Sequence, residues 1–292
     1  MKLRKLLHFI LHLRLHYQFF ILSGGYLLGG YLSDQMYAAQ FWIQFFNVHV
    51  LLFGGATAYN SWWDKDEGAI GGLKHPPKME KWMHPASLLF MFTGWVWSIF
   101  TGFEYAAVYG TSLLFFWLYS TPHARWKGKP LLSLAAIAVS TGFNSVLLGL
   151  WAAGGVFNAA VLLSAVGAST ILLSLYPVSQ IFQIDEDRNR GDETFTAHYG
   201  LESTKKFFVI SYLFGLSFLS FGLYLAEGVI GPIIFILGSF SFLIIRRMIN
   251  PMEGRKAEYK NVMKTKFFAS LSFVLFLMAA GTIKHSWFSL IF

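Results

Sequence analysis

The sequence predicts an all-α integral membrane protein, a bundle of nine transmembrane helices forming a single domain over residues 1–292. Three observations carry this. First, 55% of residues are hydrophobic and only 13% charged, with a mean hydropathy of +0.51, too apolar for a water-soluble domain of this length. Second, apolar runs at 17–33, 39–60, 84–102, 105–121, 131–153, 157–182, 205–226, 228–246 and 266–290 each approach the ~20 residues that a bilayer core demands. Third, with nine spans every Lys and Arg except Lys284 falls on one side. That asymmetry places the N-terminus and the even-to-odd loops in the cytoplasm, as expected for a multi-pass protein of a bacterial inner membrane.

Taken in order, residues 1–16 place Lys2, Arg4, Lys5 and Arg14 among leucines and read as an amphipathic helix on the membrane surface. No small-residue cleavage site follows, so the first span is expected to serve as its own insertion signal. Arg14 and His16 stand where the bundle begins, suited to lipid phosphates or to a ligand. Gly24-Gly25, Gly29-Gly30 and Gly54-Gly55 predict close helix approach, and Asn144 and Asn158 read as packing groups between helices. Short outer turns carry single acids, Asp34, Glu104 and Glu227. Prolines fall mainly in loops, among them Pro76-Pro77, Pro122, Pro130 and Pro251. The formal net charge of +8 is dispersed through loops as topology requires, which argues against nucleic-acid binding. Absence of cysteine removes disulfides, thiolate metal sites and thiol nucleophiles. No feature bears on oligomeric state.

Function is expected at two acidic stretches, one ending the second span (60–68, with Asp64, Asp66 and Glu67) and one ending the sixth (180–194, with Asp185, Glu186, Asp187, Asp192 and Glu193). Charge so placed is costly unless something binds it. Hard divalent ions prefer oxygen ligands, and Mg²⁺ commonly binds through one or two carboxylates plus substrate phosphates, which suits two sparse clusters facing each other. Asn60 and Asp64 are four apart, as are Gln183 and Asp187, so on α-helices each pair shares a face. Asn60, Asp64, Asp66, Glu67, Gln183 and Asp187 are the candidate metal ligands. Lys74, Arg125, Lys127, Arg188 and Arg190 are candidates to grip a diphosphate, with Lys129 beside them. Trp62, Trp63, Tyr119 and Tyr176 lie at the depth where aromatic faces would line an apolar chamber.

The pattern N-x-x-x-D at Asn60–Asp64, followed by D-R-x-x-G-D-x-T from Asp187 to Thr194, resembles the UbiA superfamily of intramembrane prenyltransferases. That resemblance implies a nine-helix fold in which two Asp-rich motifs hold Mg²⁺ and an isoprenyl diphosphate. It implies transfer of the isoprenyl group to a lipophilic, expectedly aromatic, acceptor, with Asp64 and Asp187 as the catalytic carboxylates. The family's first motif usually reads N-D-x-x-D-x-x-x-D; here Ser61 takes its second place and Gly68 its last. Its second usually reads D-x-x-x-D, and Gln183 takes the first place. Some relatives cyclise the prenyl group without an acceptor, and that alternative stays open. A transporter or lipid-binding protein would be expected to carry charges deep within helices and breaks at mid-span, and the sequence shows neither.

Overall fold

The computed structural model describes residues 2–65 and 68–287. A surface helix, α1 (Lys2–Leu13), precedes a set of longer helices. These are α2 (15–32, interrupted at Ser23), α3 (Ala38–Asp64), α4 (Met83–Ser98), α5 (Phe103–Ser120), α6 (Pro130–Ala153), α7 (Ala159–Arg190), α8 (Leu201–Glu227), α9 (Ile230–Ile249) and α10 (Lys256–His285). By length and composition six of them, α3 and α6 to α10, are apolar enough to cross a membrane. α2, α4 and α5 occupy three of the predicted spans as shorter or interrupted helices. Among the described residues no strand forms, and one isolated bridge joins Ile70 to Leu73.

Helices meet through small residues, as they must where lipid offers no hydrophobic gain for association. A Cβ on Gly29 would lie 1.9 Å from the Val146 carbonyl oxygen, and one on Gly149 would lie 1.9 Å from that of Tyr26, so α2 and α6 touch backbone to backbone. The closest seam missed by sequence reading joins α7 to α8, where Gly167 faces the Leu219 backbone and Gly222 faces Ser164. Asn144 donates to Ser112 Oγ (3.0 Å) across helices as expected. Asn158 instead caps α7, accepting from the Val161 amide at 3.0 Å.

The two ends of the bundle differ. At one, the loops carrying most of the basic residues converge: the Glu193 amide donates to the Gly128 carbonyl (3.2 Å), Gln183 Nε2 to that of Ala69 (3.2 Å), and Lys5 pairs with Glu80 (2.8 Å). At the other, Tyr37 bonds Ala153 (3.0 Å), and Lys284 pairs with Glu227.

The helices are not continuous α-helix, contrary to expectation. π-helical turns occupy Gln18–Leu22 in α2, Asn47–Gly54 in α3 and Ala138–Phe143 in α6, and a 3₁₀ segment occupies Pro177–Gln183 in α7. Pro177 has no amide to give the α ladder, which accounts for the last. Each irregular segment supplies residues to one or both of two adjoining cavities, where altered hydrogen bonding re-aims side chains inward.

Candidate active site

The first motif sits on the closing turns of α3, which are regular α-helix from Gly55 to Asp64. The i, i+4 spacing therefore acts as predicted: Asn60 Nδ2 donates to Asp64 Oδ2 at 2.6 Å, while Asn60 Oδ1 accepts from Ser120 Oγ at 3.1 Å. Asn60 thus orients Asp64. The helix stops there because Lys65 adopts the left-handed conformation (φ 49°). Asp64 is buried, and a carboxylate there is tenable only because cations surround it. Lys127 Nζ lies 2.5 Å away, Arg125 3.7 Å and Arg190 3.9 Å.

The second motif is built differently. Gln183 ends the 3₁₀ segment and Asp187 lies on the helical turn Ile184–Arg190, so the pair does not share an α-helical face. Gln183 lines the cavity but its amide is spent on the first motif's loop at Ala69. Asp187 accepts from Thr194 Oγ1 (2.9 Å) and Arg190 Nη2 (3.3 Å). Gly191, at φ 78°, turns the chain back so that the Asp192 amide bonds the Asp187 carbonyl at 2.9 Å. Asp192 then takes a two-pronged contact from Arg125, with Nε and Nη2 both at 2.7 Å. This fork and the Asp64 charge hold the Arg125 guanidinium above its already high pKa. Arg125 itself sits at φ 40°, a left-handed conformation unusual for a side chain of its size.

Three acids, Asp64, Asp187 and Asp192, are thus interleaved with three bases, Arg125, Lys127 and Arg190. Arg190 ties the two motifs together: besides Asp187 it reaches Asp192 (3.3 Å) and donates to the Asp64 main-chain carbonyl (3.1 Å). Asp192 and Thr194 are absent from the predicted site although both lie within the D-R-x-x-G-D-x-T pattern. The signal was the Gly-Asp step, a glycine that folds the next acid beneath the first.

Other expectations are corrected. Lys74 is exposed just beyond the Gly71-Gly72 turn and is not among the residues lining the cavity. Arg188 points outward and donates to the Ala197 carbonyl (3.3 Å), because it is one residue round the helix from Asp187. Trp62 and Trp63 pack on His84, at 5.5 and 5.4 Å between ring centroids, away from the chamber. Asp66 and Glu67 lie outside the described residues. The space a side chain at Gly68 would occupy is taken by Glu186, whose carboxylate oxygen stands 2.8 Å from that Cβ position. An acid of the second motif thus fills the place of the one absent from the first.

Asn60, Asp64, Lys127, Asp187, Thr194 and Tyr119 line the mouth of a cavity of about 200 Å³. Tyr119 and Tyr176 join their hydroxyls at 2.9 Å in its wall. It shares Ile21, Leu22, Thr141, Leu172 and Leu175 with a second, largely apolar cavity of about 350 Å³ between α2, α6, α7, α8, α9 and α10. The donors at the mouth are oxygens, with no histidine among the lining residues. Among the described residues no three His, Cys, Asp or Glu side chains gather to enclose an ion. Such a set fits a hard divalent cation that completes its shell from a bound phosphate, and does not fit a closed protein cage.

Solved structures share this architecture. A UbiA homolog from Archaeoglobus fulgidus bound to DMAPP and Mg²⁺ superposes with TM-score 0.72 at 14% identity, covering 94% of this chain and 99% of that one. The same homolog bound to GPP and Mg²⁺ gives the same values. A structure of digeranylgeranylglyceryl phosphate synthase in membranes gives TM-score 0.64 at 18% identity, covering 95% and 99%. No curated protein matches by sequence. The model of the UbiA prenyltransferase family matches residues 19–272, most of the chain, and with the two motifs facing one cavity this shows that the chain belongs to the UbiA prenyltransferase family.

Proposed function

We propose that the protein is a Mg²⁺-dependent prenyltransferase that moves an isoprenyl group from its diphosphate to a lipophilic, aromatic acceptor within the membrane. The observation that carries this is an acid-and-base-lined mouth that shares a wall with an apolar cavity, which matches a substrate with a polyanionic head and a hydrocarbon tail. One homolog of the same fold has been solved with DMAPP and with GPP, each with Mg²⁺. The proposed assembly is a single domain of nine transmembrane helices in a bacterial inner membrane, with α1 and both motifs cytoplasmic. The convergence of the basic loops at the motif end supports that orientation.

Asp64 and Asp187 would hold the metal, with Gln183 and Glu186 at its margin and Asn60 orienting Asp64. Bound there, Mg²⁺ supplies charge neutralisation that makes diphosphate a good leaving group. Lys127, Arg125 and Arg190 grip phosphate oxygens through charge-assisted hydrogen bonds. Their present acid partners keep them in place before the ligand arrives, so little side-chain freedom is lost on binding. The bond from the prenyl C1 to oxygen breaks with its electron pair leaving on diphosphate, and the allylic cation is met by the faces of Tyr119 and Tyr176. An acceptor carbon then bonds to C1 and releases a proton.

The test is incubation of purified protein with Mg²⁺ and labelled diphosphates of graded chain length, with and without acceptors, following diphosphate release and prenylated product. Release that needs both Mg²⁺ and acceptor supports the reading. Cyclised product without acceptor would replace it with a cyclase, and full turnover in excess chelator would remove the metal.

A further inference from the structure

We infer that residues 3–16 form a membrane-seated strap: α1 beds one face in an anionic phospholipid leaflet and with its other face holds the loop at 69–82 against the mouth, so that acidic lipid tightens diphosphate binding. The lipid-binding face stands on the geometry of α1. Only the effect on diphosphate rests on the prenyl-transfer reading.

α1 has two faces with different surroundings. At 100° per residue, Lys5, Phe9 and His12 fall within about 60° of one another, and all three meet the protein. Lys5 pairs with Glu80 (2.8 Å), Phe9 packs on Trp82 and Phe90 (5.5 and 5.3 Å between ring centroids), and His12 Nε2 donates to the Pro77 carbonyl (2.8 Å). Leu3, Leu7 and Ile10 lie on the opposite side, flanked by Leu6 and Leu11. Leu3 is 70% exposed and the other four between 41% and 51%. An apolar arc of that size on a helix is a docking face. Its occupant is the bilayer, because α1 lies along a spanning helix: Leu13 packs with Ala58 of α3, and a Cβ on Gly54, still earlier in α3, would stand 3.4 Å from that of Leu13.

Charge selects the kind of lipid. No acid precedes Asp34 in the chain, and between residues 69 and 85 the one acid is Glu80, already paired with Lys5. Arg4 is exposed at the border of the apolar arc, and Lys78 and Lys81 are exposed on the loop that α1 holds. Apolar side chains flanked by cations of one sign bind an anionic leaflet better than a zwitterionic one.

The strap continues to the mouth. Arg14 turns the chain in a left-handed conformation (φ 50°) and donates to the Gly71 carbonyl (3.2 Å) and to Ser61 Oγ (2.7 Å). His16 Nε2 donates to the Gly72 carbonyl (2.7 Å). The ties thus run antiparallel, from Lys5 with Glu80 through His12 with Pro77 to His16 with Gly72. Ile70 and Gly71 line the cavity that Asp64 and Asp187 line. From residue 69 to 80 the loop has one isolated bridge and no helix, so its place depends on what it is tied to.

The experiment places the full-length protein in nanodiscs of phosphatidylcholine alone or with about one quarter phosphatidylglycerol. It measures hydrogen exchange at 69–82 together with kcat and KM for geranyl diphosphate and Mg²⁺. With the anionic lipid, exchange at 69–82 should slow at least about threefold and KM should fall by a similar factor, with kcat within about twofold. High salt should remove the difference. Combined Arg4→Gln, Lys78→Gln and Lys81→Gln should abolish the preference for anionic lipid. Leu7→Gln with Ile10→Gln should speed exchange at 69–82 in both discs. Leu7→Trp, which keeps the face apolar, serves if that pair does not fold: its emission should be quenched by brominated acyl chains. Equal exchange at 69–82 in the two discs overturns the inference. So does a lipid effect that survives the triple variant, one confined to kcat, or an unquenched Trp at position 7. If exchange follows the lipid but no prenyl product forms with any acceptor, the prenyl-transfer reading fails while the strap stands.

Discussion

The two acidic motifs have the same spacing in sequence and different constructions in space. In the first, Asn60 and Asp64 lie on unbroken α-helix and bond each other. In the second, the 3₁₀ segment that begins at Pro177 shifts the register, so Gln183 bonds Ala69 across the mouth and Thr194 takes over as the partner of Asp187. An i, i+4 spacing specifies a shared face only where the helix holds 3.6 residues per turn throughout. The first motif is a helical pair. The second is a turn that folds back on itself.

That difference can be broken by mutation. The largest effect is expected at Asp64→Asn, where one carboxylate serves three cations; diphosphate release should fall about a hundredfold or more, with thermal unfolding in detergent as the check on folding. Asp187→Asn should cost a similar factor, whereas Asp185→Asn, on the exposed side of the same turn, should stay within about twofold. A smaller loss, about tenfold, is expected for Glu186→Gln, read as a raised requirement for Mg²⁺ in titrations of activity. If the vacancy at Gly68 is what Glu186 fills, Gly68→Asp should relieve part of that loss when the two are combined. Arg188→Ala and Lys74→Ala should change turnover by about twofold or less, since neither side chain is placed in the mouth.

The smallest effect belongs to an exposed pair at the same end, Lys5 and Glu80. Lys5 holds the Glu80 carboxyl below its usual range. The contact therefore helps to dock α1 above the unfolded carboxylate's pKa and is lost as pH falls through the folded one. Hydrogen exchange in α1 should rise only slightly between pH 7 and pH 4, because water screens the pair. A large rise would show that surface charge matters here as much as the buried cluster.

Much of this was legible in advance. The membrane class, the helical order and the pairing of Asp64 with Asp187 around one mouth follow from apolar run length and charge placement, which residue type and order set without regard to packing. Asn60 was readable because its helix is regular. What escaped depended on backbone departures that periodicity does not encode: the 3₁₀ step that retires Gln183, and the Gly191 turn that recruits Asp192. Lys74 and Arg188 were misread because adjacency in sequence to an acid says nothing about the side to which a long side chain turns. In the sequence Lys266 is one of the basic residues on the motif side, and only the packing of α10 against α2 shows it turned inward onto Tyr17.

The left-handed backbone at Arg125 has a consequence for how this protein can change. Holding a large residue at φ 40° costs on the order of 1–3 kcal/mol, and glycine would remove that strain. Arg125→Gly is thus a substitution that eases the loop's backbone while freeing Asp192 and part of the Asp64 charge from their partner. Breaking that buried fork costs about 3–5 kcal/mol, more than the strain relief returns, so a screen that selects for thermal stability alone would keep arginine at 125 in spite of its backbone.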